Sequence, residues 1–131
     1  METRPYTPDD YAMVEGWWTA HGWTPVLEKV LPPTGLIAEA DGVCVAAAWL
    51  YFADAPMAWL EWCVANPDSK GKTLHRGIAM VLTELLEIAD ERGVVATFSS
   101  SEHAGLIRVY QGLGFTVTDK GATTMIRANG G

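Results

Sequence analysis

Lys70, Lys72 and Arg76 are three of the chain's nine lysines and arginines, and all sit in V-A-N-P-D-S-K-G-K-T-L-H-R-G-I-A-M-V-L, residues 64–82. No Asp or Glu occurs between Asp68 and Glu84, although the chain carries a formal net charge of −7. An apolar strand ends there at Pro67, a short Gly/Lys loop follows, and a helix opens on small residues. A basic loop entering a helix N-terminus is suited to phosphate, because free backbone N–H groups and the helix dipole both favour an anion. In an acidic chain that local reversal of sign points to a small phosphorylated ligand rather than a nucleic-acid surface. Just upstream, Glu61 stands in the apolar run W-L-E-W-C-V. Facing a cleft between Trp59 and Trp62, it would have its pKa raised by desolvation towards a value useful for proton transfer. The plainer alternative is a solvated strand carboxylate. Cys63 can be read as a nucleophile, but no base and orienting group accompany it, which favours a small buried hydrophobe.

Those residues need a scaffold. Thr3–Tyr6 reads as a first strand, and Thr7-Pro8-Asp9-Asp10 as a helix start with a capping hydroxyl and a proline in the first turn. Tyr11, Val14, Trp18 and His21 share one helical face, and Gly22 stops the helix. Residues 23–34 contain Pro25, Pro32 and Pro33 and predict an irregular segment with at most a short helix. Leu36–Ala40 and Val43–Phe52, joined by Asp41-Gly42, predict a hairpin, with a further strand over Ala58–Val64. Ile78, Val81, Leu82, Leu85 and Ala89 form a helical stripe that Gly93 ends. Val94–Phe98 reads as a buried strand, Ser99–Ser101 as a cap for a helix carrying Leu106, Val109, Tyr110 and Leu113, and Phe115–Thr118 with Thr123–Arg127 as a closing hairpin. The sum is one α/β domain over residues 1–131, a mixed central sheet of six to seven strands with helices on both faces.

Composition narrows the classes. Hydrophobic residues at 49% and charged residues at 19% mark a globular chain. The acidic balance argues against general DNA binding, which needs many Lys and Arg on phosphates. Neither Cys44 nor Cys63 belongs to a C-x-x-C pair, and His21, His75 and His103 lack metal-ligand spacing, so no metal is expected. No apolar run is long enough to span a bilayer and Met1 leads into polar residues, which predicts a cytoplasmic protein with no membrane partner. A P-loop nucleotide enzyme, suggested by Gly71-Lys72-Thr73, would need a glycine where Asn66 stands.

The chain resembles, from R-P-Y-T-P-D-D to the closing hairpin, the GNAT superfamily of acyl-CoA-dependent N-acyltransferases. The resemblance is most specific in the 64–82 stretch and in S-E-H-A-G-L-I-R-V-Y-Q-G-L-G-F, whose end is similar to the family's Y-x-x-x-G-F signature. The small size and K-G-K-T-L-H-R-G are most similar to compact members from phage genomes. The family's phosphate loop reads Q/R-x-x-G-x-G/A. Gly77-Ile78-Ala79 match its last half, with Leu74 where Gln or Arg is usual; a register from Lys70 restores the basic residue but puts Thr73 and His75 where small residues are wanted.

The resemblance implies acetyl-CoA as cosubstrate. Its diphosphate would lie on Lys70, Gly71, Lys72, Thr73, His75, Arg76, Gly77, Ile78 and Ala79, with the backbone of Cys63, Val64 and Ala65 pairing with the pantetheine amides. His103 stands where the family often has Asn near the pantetheine arm, or else decorates a helix start; His75 adds a phosphate contact or is an exposed loop histidine. Acyl transfer from a thioester to an amine needs a deprotonated amine, an oxyanion stabiliser and a proton for the leaving thiolate. Glu61 would take the amine proton, directly or through water. Tyr110 takes the position of the family's general acid on the CoA sulfur, against the alternative of an ordinary core stripe.

The expected acceptor is a small-molecule primary amine held near Trp17, Trp18 or Trp23, of which Trp18 shares the core stripe. Two other readings stay open: a non-catalytic CoA-binding module, and a phage-type enzyme modifying a nucleotide or nucleobase. Open sheet edges and the closing hairpin offer surfaces for a homodimer.

Overall fold

The computed structural model describes residues 1–129 and divides into two compact units, Met1–Ser100 and a second from Ser101 on. The first unit contains β1 (Glu2–Pro5), α1 (Tyr11–Ala20), β2 (Gly35–Ala40), β3 (Val43–Phe52), β4 (Met57–Ala65), α2 (Gly71–Glu91) and β5 (Ala96–Phe98). Short 3-10 turns at Pro8–Asp10 and Glu28–Val30 flank α1. The second unit contains α3 (Ala104–Gly112).

The five strands lie in sequence order. β1 to β4 are antiparallel neighbours, and β4 pairs with β5 in parallel after the crossover through α2. β3 is the centre: V-A-A-A-W-L, from Val45 to Leu50, is buried throughout, the unalternating pattern of a strand covered on both faces. On one face Val14, Trp17 and Trp18 of α1 pack with Ile37, Ala47, Trp49 and Val64. On the other, α2 comes so close that a Cβ on Gly77 would lie 2.6 Å from Val45 Cγ1. Glycine at that helical position is what seats the N-terminal half of α2 on the sheet.

Arg4 ties the first strand to its surroundings. Its guanidinium donates to Asp10 through Nη1 and Nη2 at 2.9 and 2.8 Å, and through Nε to Glu39 at 2.7 Å. Asp10 also accepts from the Thr7 backbone N–H at 2.9 Å, closing the turn that starts α1. The Arg4 hydrogen bonds hold the Asp10 carboxyl below its usual range. A depressed carboxyl stabilises the fold above its unfolded pKa of about 3.9. That contribution disappears as pH falls through the lowered folded value. Asp10→Asn is expected to cost about 1 kcal/mol at neutral pH, the size of a well-oriented but solvent-screened pair. Thermal melts of both proteins should converge as the pH is taken below 3; a gap independent of pH would show that the charge is not what matters.

Three expectations from sequence are corrected. The sheet has five strands, because 115–129 contains no strand. In Thr123–Arg127 the apolar Met125 and Ile126, 86% and 83% exposed, are adjacent rather than alternating, so that half of the expected hairpin offers no single apolar face for Phe115–Thr118 to pair with. β5 is shorter and more exposed than expected: Val94 N–H closes the end of α2 on Ala89 O, Val95 N–H bonds Pro56 O, and only three residues remain to pair. The cap of α3 is His103 rather than a serine; its Nδ1 accepts from Leu106 N–H at 3.2 Å while Ser101 Oγ accepts from His103 N–H.

Candidate active site

β4 pairs with β5 only from Met57 to Trp59, yet runs on to Ala65. Past Trp59, no strand among the described residues pairs with that edge of β4. The strand is also bulged. Trp49 faces Glu61 and Ala47 faces Val64, so Trp62 and Cys63 together oppose Ala48. Trp62 takes φ +63°, in the left-handed region that a bulky side chain rarely adopts. Bulges of this kind re-aim a strand and break its pairing. The result is a backbone edge over Cys63, Val64 and Ala65 that no strand among the described residues covers, with Ala65 O held by His21 Nε2 at 2.9 Å, leading directly to the basic loop.

That loop is fixed by Asn66. Its Nδ2 donates to Cys44 O at 2.9 Å and its N–H to Val45 O at 2.8 Å, while its Oδ1 and O accept from the Asp68 and Ser69 N–H groups. An Asx turn of this sort is legible in Asn66-Pro67-Asp68, a signal passed over when the stretch is taken as a plain Gly/Lys loop. Lys70 follows in extended conformation as the N-cap of α2, and Gly71 turns in at φ +62° with open space on its Cβ side. Neither a capping side chain nor an acid occupies the first turn. The N–H groups of Gly71, Lys72 and Thr73, ahead of the first intrahelical bond, are therefore the helix's free donors. Lys70, Lys72, Thr73, His75 and Arg76 are exposed around them. Gly77, Ile78 and Ala79 lie deeper in the helix, where N–H groups bond within it. Free donors, flanking cations, an open glycine and an unpaired strand edge fit a phosphorylated ligand with an extended amide-bearing arm.

Glu61 lies on the α1 face, upstream of the free edge. Ser100 Oγ lies 3.2 Å from both carboxylate oxygens and donates to the pair. Burial outweighs that hydrogen bond and raises the carboxyl to about 7. It is thus divided between acid and base near neutrality, which suits proton transfer. Cys63 is pushed up to about 12 by burial, so its thiol stays protonated and is no nucleophile at neutral pH.

Among the aromatics, Trp17 and Trp18 belong to the core, which removes Trp17 as an acceptor contact; Trp23 is 45% exposed and stacks on His21 at 4.7 Å. Trp59 packs on Phe98 at 5.1 Å beside Glu61. In the second unit, Tyr110 is buried and meets Phe115 edge-on at 5.1 Å, and His103 caps α3. A cleft of about 340 Å³ lined by Tyr6, Glu28, Leu31 and Pro33 opens by the end of β1, strands away from Glu61.

The chain resembles known proteins chiefly in fold. No curated protein matches it in sequence. The ribosomal-protein-S18-alanine N-acetyltransferase of Escherichia coli superposes with a TM-score of 0.73 at 20% identity, over 90% of this chain and 79% of that one. The ribosomal-protein-alanine N-acetyltransferase of Brucella melitensis gives 0.66 at 18% identity, over 87% and 83%. N-acetylglutamate synthase of Neisseria gonorrhoeae, solved with coenzyme A and N-acetyl-glutamate, gives 0.64 at 18% identity, over 84% of this chain and 27% of that one. The family model for the acetyltransferase (GNAT) family matches residues 2–115, from β1 to the Phe115 that ends Y-Q-G-L-G-F. This chain belongs to the GNAT family, whose members take acetyl groups from acetyl-CoA.

Proposed function

We propose that the chain is an N-acetyltransferase that passes an acetyl group from acetyl-CoA to the primary amine of a small molecule, by direct attack with both substrates bound. The observation that carries this is the placement of Glu61. A carboxyl raised to about 7 stands one residue before a bulged, unpaired strand edge that runs into a basic helix start.

Bound acetyl-CoA supplies the activated thioester. The chain's own residues do the rest. Lys70, Lys72 and Arg76, with the free N–H groups at the start of α2, hold the diphosphate; Cys63, Val64 and Ala65 offer backbone groups to the pantetheine amides. Glu61 accepts the amine proton, Ser100 orients the carboxylate, and Tyr110 donates a proton to the departing sulfur. Trp23 and Trp59 present apolar surface that lowers the cost of a neutral amine. The net charge of −7 draws in cationic amines. Among the described residues no helix is long and apolar enough to cross a membrane, and both cysteines are free, as suits a cytoplasmic enzyme.

The fold likeness to two ribosomal-protein-alanine acetyltransferases favours one competing acceptor, the N-terminal amine of a protein. Thiol release measured over a panel of small amines and N-terminal peptides separates the two. Lys70→Ala, Lys72→Ala and Arg76→Ala combined should weaken acetyl-CoA binding by tenfold or more at low salt, and less at high salt. Unchanged affinity in that triple variant would remove the diphosphate from this loop.

A further inference from the structure

We propose that Tyr51, which lies outside the reacting groups, is a positioning residue that sets the aim of the acyl-donor strand through Trp62. The bulge in β4 depends on Trp62 at φ +63°. A conformation so poorly suited to a large side chain persists only where its surroundings over-determine it. Here the restraint is specific. Trp62 Nε1 donates to the Tyr51 hydroxyl at 2.7 Å, and that hydroxyl donates onward to Val30 O at 2.8 Å. Tyr51 is opposite Trp59 in the β3–β4 ladder, so the indole reaches back along its own strand to find it. Val30 belongs to the 3-10 turn in the segment joining α1 to β2.

The same segment grips the strand a second time. His21, at the end of α1, places Nε2 2.9 Å from Ala65 O. Residues 21–34 thus hold both ends of 62–65, the stretch whose strand-unpaired edge meets the pantetheine arm in the function proposed above, on which this inference rests. Without the Tyr51 hydroxyl the indole N–H loses its partner, and Trp62 is free to relax towards extended φ. The Ala47–Val64 register then shifts, and Cys63–Ala65 turn away from the donor.

Tyr51→Phe keeps the ring and removes both hydrogen bonds, so its fold is followed by thermal melting and the Trp62 indole N–H by NMR. The affinity for coenzyme A is measured by calorimetry. Tyr51→Phe should displace the indole resonance and weaken coenzyme A binding by about five- to tenfold, the worth of a part-buried hydrogen bond. Trp62→Gly relieves the left-handed strain directly, since glycine adopts positive φ freely. Adding Tyr51→Phe to Trp62→Gly should therefore change the affinity no further. If the parent binds coenzyme A and Tyr51→Phe binds as tightly, the positioning role is overturned while the donor site stands. The positioning role is equally overturned if Tyr51→Phe weakens binding to the same extent in the Trp62→Gly background. If the parent binds no coenzyme A, the donor-site reading falls and takes this inference with it.

Discussion

Glu61→Gln is expected to lower kcat about a hundredfold at pH 7, at the lower end of what general-base catalysis supplies, and at the same time to make the protein more stable. The two effects have one cause. Burial raises the Glu61 carboxyl to about 7, which makes it a base matched to neutral pH and also a charge held where it is poorly solvated. The folded state binds this proton more tightly than the unfolded chain does. Stability therefore falls as pH rises from the unfolded value of about 4.3 through the folded value. Gln carries no such penalty. Allowing for partial exposure and screening, Glu61→Gln should gain about 1–2 kcal/mol above pH 7 and nothing below pH 4. The parent's kcat/KM should climb through pH 7, and the variant's deficit should narrow once the amine is deprotonated without help. Thermal melts and pH–rate profiles read both halves. Profiles identical in shape and height would remove Glu61 from the mechanism.

Tyr110→Phe is expected to slow turnover by roughly a hundredfold or more where chemistry limits the rate, with coenzyme A affinity unchanged. The phenyl ring preserves the edge-on contact with Phe115 and the apolar burial on α3, so only the hydroxyl is tested. The departing thiolate then has to take its proton from solvent. A leaving group that is already weakly basic, such as an activated thioester with a low-pKa thiol, should recover part of the lost rate in the variant. A Phe variant as fast as the parent would make Tyr110 a packing residue.

How legible this was in the sequence depends on range. Asp41-Gly42 gave the β2–β3 hairpin, and the stripe from Ile78 to Ala89 gave α2, because turns and amphipathic helices are encoded over a few residues. The basic cluster at 70–76 and the acid at 61 were readable as local breaks in charge and polarity. The start of α2 was not. Gly71-Lys72-Thr73 reads as a loop, and only the fold shows that Lys70 caps a helix whose free donors precede Gly77. Nor was the bulge at Trp62 readable, since nothing in E-W-C-V distinguishes a left-handed tryptophan from an extended one. It depends on Tyr51 and Val30, remote in sequence, as Glu61 depends on Ser100. The closing hairpin failed for the opposite reason: its local pattern suggested strands, but strands need a partner face that two adjacent apolar residues do not supply.

The most direct test is a crystal structure of the protein with acetyl-CoA. The diphosphate should lie on the N–H groups of Gly71–Thr73 beside Lys70 and Arg76, with the pantetheine amides along Cys63–Ala65 and the thioester carbonyl within reach of a water or amine held by Glu61. A diphosphate bound elsewhere, or a thioester remote from Glu61, would contradict the assignment of this site.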